Sequence, residues 1–112
     1  MRTQIMYIER KSGLRGDARI GRITWSKTKS TIWYKGQRLE TLKGRGFKAN
    51  YFDVDTGEEY WVSGCKKNGG DTLYGGLIHI DEDVREEYWS KVRGLPERKD
   101  ESVIRCAGKY AK

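Results

Sequence analysis

The fourteen residues Asn50 to Ser63, NYFDVDTGEEYWVS, decide the fold. Asp55-Thr56-Gly57 fits a three-residue hairpin loop, a type I turn closed by Gly57 in the left-handed region. That register sets Phe52 opposite Tyr60 and Tyr51 opposite Trp61. A two-residue loop would instead pair Phe52 with Trp61 and Tyr51 with Val62. In both registers aromatic side chains meet across the strands on both faces, which stabilises the pair. One face is core; the other packs on a second layer or offers rings to a ligand.

Working towards the N-terminus, the pattern stays β-type. Thr3 to Glu9 is rich in Ile, Met and Tyr, and Ser12 to Asp17 holds two glycines and reads as a loop. In Arg19 to Trp25 the period of two puts Ile23 and Trp25 on one face and Ile20 and Thr24 on the other. Ser26 to Ser30 is a polar turn, and Thr31 to Tyr34 (TIWY) combines β-branched and aromatic residues as a third strand. Lys35-Gly36 is a short turn before a fourth strand through Leu39 and Leu42.

Towards the C-terminus, Gly64 to Gly76 is a glycine-rich loop and Leu77 to Ile80 a final strand. One helix follows, from about Glu82 to Arg93. Asp81 suits its N-cap, with Glu82 and Asp83 in the first turn; a start one turn later has Asp83 capping and Glu86 completing a capping box. Val84, Tyr88 and Val92, with Trp89 alongside, give it one apolar stripe. Gly94 and Pro96 stop it, and Leu95 can fold back on Trp89. The loops are too short for right-handed crossovers, so the sheet is expected to be antiparallel. The expected fold is β-rich α+β: a small curved antiparallel sheet or partly open barrel with one helix near the C-terminus. Residues 1–96 are expected to form a single globular domain, and 97–112 a charged, mobile tail. Within that tail Val103 to Cys106 fits either a strand or a turn of helix.

Length and composition bound the function. A chain of 112 residues makes one domain, with no room for a cofactor domain beside a substrate domain. Charge is unevenly spread: the first fifty residues carry thirteen Lys or Arg against three Asp or Glu, net +10, and the next fifty carry seven against twelve, net −5. Such a split suggests that part of the folded surface is basic enough to hold a polyanion. No apolar run approaches the ~20 residues of a membrane span, and the N-terminus lacks the pattern of a secretory signal. Cys65 and Cys106 stand far apart, without a paired-cysteine motif. The expected location is the cytoplasm, with reduced thiols, although a single bridge between the two stays open.

The leading candidate site is the basic glycine loop Lys43-Gly44-Arg45-Gly46-Phe47-Lys48, whose glycines let backbone N–H groups turn towards an anion. A second basic loop, Cys65-Lys66-Lys67-Asn68-Gly69-Gly70, is brought near it by the return of the central hairpin. Arg22, Lys27, Lys29, Lys35, Lys43, Arg45, Lys48, Lys66 and Lys67 are the expected phosphate contacts. Trp33, Phe47 and Tyr51 are the rings expected to stack on bases, since single-stranded nucleic acid needs cations for phosphates and rings for bases. Arg45 to Phe52 departs from the aromatic signature of RNA-recognition motifs at Lys48, Ala49 and Asn50, so that family is rejected. No metal-ligand spacing, phosphate loop or dinucleotide fingerprint is present, and no cofactor is expected. His79, the only histidine, could meet Cys65 as a base only through the fold.

The block KANYFDVDTGEEYWVSGCKKNGGDTLYGG (residues 48–76), with IDEDVREEYW (80–89) and TQIMYIE (3–9), resembles a family of short uncharacterised bacterial proteins. Some members carry the label of deoxyxylulose-phosphate synthase, a large thiamine-diphosphate enzyme. Nothing in these residues could hold that cofactor, so the label is read as a transferred error. The resemblance implies a bacterial, cytosolic protein and brings no catalytic residues. The expected function is therefore a small non-enzymatic binding module for single-stranded RNA or DNA, or another polyanion. The alternative is a protein-interaction or self-assembly module using the acidic helix and a strand edge.

Overall fold

Ile5, Met6, Tyr7 and Ile8 are four consecutive buried residues in strand β1 (Arg2–Arg10), so this strand is covered on both faces. That fact organises the molecule. The computed structural model describes residues 2–11, 18–43, 49–67 and 76–106. Besides β1, its strands are β2 (Ala18–Trp25), β3 (Thr31–Tyr34), β4 (Gln37–Thr41), β5 (Tyr51–Asp53), β6 (Glu59–Gly64), β7 (Gly76–Ile80) and β8 (Val103–Cys106). The first six form an antiparallel barrel in the order β1-β6-β5-β4-β3-β2, closed by pairing of β1 with β2 from Arg2↔Trp25 to Glu9↔Ala18. A helical segment, residues 82–92, follows β7: one 3-10 turn, one α turn and one π turn. This is the expected β-rich α+β class, with the barrel closed.

Alternation along β1 and β2 feeds two cores. Met6 and Ile8 of β1 and Ile23 and Trp25 of β2 point into the barrel, where they meet Ile32, Tyr34, Leu39, Tyr51, Tyr60 and Val62. Ile5 and Tyr7, with Ala18 and Ile20, point outwards and are covered by Ile78, Ile80, Val84, Tyr88, Trp89 and Ile104. Each fully buried aliphatic contributes about 1.5–3 kcal/mol. The helical segment is too short to stand alone and depends on this second core.

Two expectations are corrected. The sheet is not wholly antiparallel, because β7 pairs with β2 in parallel, Ala18↔Ile78 to Ile20↔Ile80. The chain between them is not a local helical crossover but the rest of the barrel, so short loops did not forbid it. The central hairpin takes neither expected register: Tyr51 faces Tyr60 and Phe52 faces Glu59. Its loop is longer because the Asp53 carboxylate accepts from the backbone N–H groups of Asp55 and Thr56 (2.8 and 3.2 Å), and Gly57 N–H bonds to Asp53 O. Gly57 has φ +77°, left-handed as expected. A one-residue change of register swaps the faces: Tyr51 and Tyr60 go inside, and Trp61 is left 39% exposed. Beyond residue 96 the described chain continues to residue 106. Pro96–Arg98 is a 3-10 turn, Arg98 lies 4.2 Å over the Trp89 ring and pairs with Glu101, and β8 pairs with β7.

Candidate anion-binding end of the barrel

Because neighbouring strands run in opposite directions, the segments after β2, β4 and β6 leave the barrel at one end, where β1 also begins. That end therefore gathers Lys27 and Lys29 from the β2–β3 turn, Lys43 after β4, Lys66 and Lys67 after β6, and Arg2, all exposed. It is tied together by polar contacts beneath the lysines. Thr41 N–H bonds to Ser30 O (2.9 Å), and Asn50 bridges to both backbone groups of Val62 (2.8 Å each). The Tyr51 hydroxyl donates to Lys29 O (3.0 Å).

Among the described residues, Arg2, Lys27, Lys29, Lys43 and Lys67 make no ion pair. Cations nearer the opposite end are engaged: Arg10 with Glu58 (3.6 Å), Lys11 with Glu9 (2.5 Å), and Arg19 and Lys35 with Asp81. Lys29 and Lys43 have left-handed backbones, with φ of 60° and 53°, as does Lys35 at the opposite end, with φ of 47°. Glycine or asparagine suits such turn positions, and a lysine there costs on the order of 1 kcal/mol. Lys29 recovers part of this by lying 5.7 Å over the Trp25 ring. Lys43 is exposed, and its backbone N–H donates to the Thr41 hydroxyl at 3.1 Å.

The expected contact residues divide accordingly. Lys27, Lys29, Lys43, Lys66 and Lys67 share the basic end; Arg45, Phe47 and Lys48 lie outside the described residues. Arg22 is elsewhere, bonded to Glu87 of the helical segment at 3.1 Å. Lys35 reaches across to Asp81 at 3.2 Å. Of the rings, Trp33 points outwards from β3 and is 37% exposed, whereas Tyr51 is buried in the barrel and offers no face for stacking. Cys65 packs against the outer core, its Sγ 3.8 Å from Ile5 O. His79 is exposed on the face of β7 opposite to Ile78 and Ile80, whereas Cys65 packs with the core that Ile78 and Ile80 join.

Asp81 does something different from the expected cap. Its backbone sits at the N-cap, but its side chain makes no capping bond. It lies where β3 leaves the edge of β2 and β7 takes over, and its N–H extends the parallel ladder to Ile20 O (2.9 Å). The buried carboxylate accepts from Tyr34 Oη (2.5 Å), from Arg19 Nε and Nη2 (2.8 and 2.7 Å) and from Lys35 Nζ (3.2 Å). Burial pushes its pKa up, but the bonds from Tyr34, Arg19 and Lys35 outweigh that and hold it below the usual carboxylate value. Tyr34 is shifted upwards, by burial and by its bond to Asp81. Gly21 makes the approach possible: a Cβ there would lie 2.5 Å from both Asp81 Oδ2 and Tyr34 Cε1. The only sequence signal of this junction was a glycine in the middle of a strand, a mark of close approach.

No protein-family profile, curated protein or solved structure matches this chain, and the comparisons neither add to nor overturn the likeness drawn from the central block. Among the described residues no helix is long and apolar enough to cross a membrane, and no cluster of His, Cys, Asp or Glu could hold a metal ion.

Proposed function

We propose that the lysine-bearing end of the barrel binds a polyanion, with a nucleic-acid backbone as the natural case. The observation that carries this is the contrast between the two ends. Cations near Asp81, Glu9 and Glu58 are neutralised within the fold, whereas among the described residues Lys27, Lys29 and Lys43, after β2 and β4, are exposed and make no ion pair. Counterion release supplies the driving force, and binding should weaken steeply with salt. Substituting Lys27, Lys29 and Lys43 together by Gln should flatten the salt slope by about two units, at roughly 0.7 per phosphate on a single strand. A folded triple variant with unchanged affinity and slope would remove this end from the mechanism.

A second reading, an assembly surface, is favoured by one patch. Leu77 and Val103 are 48% and 37% exposed on adjacent strands, and β8 is the last strand of the sheet. Sedimentation at low salt showing only monomer would count against it.

A further inference from the structure

We infer that the polyanion held at the lysine end is a single-stranded nucleic acid, and that the outward face of Trp33 carries one of its bases. This rests on the reading of that end as a polyanion site.

Trp33 is an indole that neither core uses. Its neighbours Ile32 and Tyr34 point into the barrel, while Trp33 sits on the outer face between Thr24 of β2 and Arg38 of β4. The helical segment and the β7–β8 pair cover the outer face of β1 and β2 around Ile5, Tyr7, Ala18 and Ile20, away from this ring. A threonine or lysine would serve a solvent-facing strand position without leaving an apolar ring in water.

Its place relative to the lysines fits one strand of nucleic acid. Trp33 is three residues beyond Ser30, at the end of the turn that holds Lys27 and Lys29. At ~3.3 Å per residue this is about 10 Å, so one short stretch of a single strand can reach both the lysines and the ring. Arg38, directly opposite Trp33, is 55% exposed and shares its charge with Glu40 at 2.9 Å. The second exposed tryptophan, Trp61, is differently placed. It faces Glu9 across the ladder and follows Glu59 by two residues on the same face, so acids flank it. Trp33 is thus the ring next to the lysines of the β2–β3 turn, whereas Trp61 stands among acidic residues, of which Glu9 is already paired with Lys11.

The ring also selects the class of ligand. Duplex bases are stacked on one another and present edges, and polyphosphate has no π face. Only a single strand can splay a base onto an exposed indole.

The test compares Trp33→Ala with Trp61→Ala, both at exposed positions, with Trp33→Tyr as a variant that keeps a stacking ring. Affinities for a short labelled oligouridine are measured by anisotropy, and polyphosphate binding by competition. Trp33→Ala should weaken oligouridine binding about 5- to 150-fold, the loss from removing one stacked base. Trp33→Tyr should restore most of it, Trp61→Ala should change it less than twofold, and none of the three should alter polyphosphate binding. Unchanged oligouridine affinity in Trp33→Ala, an equal loss towards polyphosphate, or polyphosphate binding without oligouridine binding would overturn the inference alone. Wild-type protein that binds neither probe would overturn the polyanion reading as well.

Discussion

Gly21→Ala should destabilise this protein, although local rules say the opposite. In a strand interior alanine is normally better than glycine by about 0.5–1 kcal/mol. Here the added methyl would stand 2.5 Å from Tyr34 Cε1 and 2.5 Å from Asp81 Oδ2. Both atoms would have to move by roughly 1 Å to reach ordinary contact. They belong to side chains bonded to each other, and the Asp81 side chain is only 1% exposed, so neither moves independently. Overpacking of this kind costs about 1–3 kcal/mol. Because neither partner can move alone, the upper part of that range, about 2–3 kcal/mol, applies, and set against the propensity gain the net loss is about 1–2.5 kcal/mol. Urea unfolding followed by tryptophan fluorescence should show a midpoint lowered by roughly 0.5–1 M with an unchanged slope. Combining the change with Asp81→Ala should give a coupling of at least ~0.5 kcal/mol, because one of the two clashes is then gone. A Gly21→Ala protein as stable as wild type, or more so, would refute the account of how the barrel joins β7 and the helical segment.

Asp81→Asn should lower stability at neutral pH by about 1–2 kcal/mol, kept modest because Arg19 and Lys35 remain in reach of water. The folded pKa of Asp81 lies below its unfolded value of about 3.9, so its contribution is complete above ~pH 4 and fades as pH falls through the folded value. Denaturation measured between neutral and acid pH should therefore be flatter for Asp81→Asn than for wild type; parallel curves would contradict this. Lys43→Gly should leave stability unchanged or raise it by up to ~1 kcal/mol, since φ 53° suits glycine, while reducing the salt slope of polyanion binding by about 0.7. Thermal melts and a salt titration on the same variant check both halves, and lower stability with intact binding would be the wrong outcome.

Much of the fold was legible because it rests on local pattern. The strand and helix positions, the turn glycine at 57, and the opposition of Ile23 and Trp25 to Ile20 all follow from periods and turn chemistry. The hairpin register was not legible, because the extra loop residue depends on the Asp53 side chain accepting from two backbone N–H groups. The parallel contact of β7 with β2 was hidden because fifty residues of barrel intervene between Trp25 and Gly76. The same distance hid the role of Asp81, which by sequence is a good helix cap and in the fold anchors Arg19, Tyr34 and Lys35. At the candidate site, the gathering of Lys27, Lys29, Lys43, Lys66 and Lys67 follows from strand alternation once the barrel is known. Sequence alone could not show that Lys35 and Arg22 are taken by acids, or that Tyr51 is inside.

The most direct test of the central claim is an amide-resolved NMR titration of the whole chain with a short oligouridine at low salt. Residues 26–30, 42–43 and 65–67 should shift together and saturate at one affinity, while the turns at 35–36 and 54–57 at the opposite end stay put. Shifts centred on those opposite turns, or no shifts at all, would contradict the assignment of the lysine end as the binding surface.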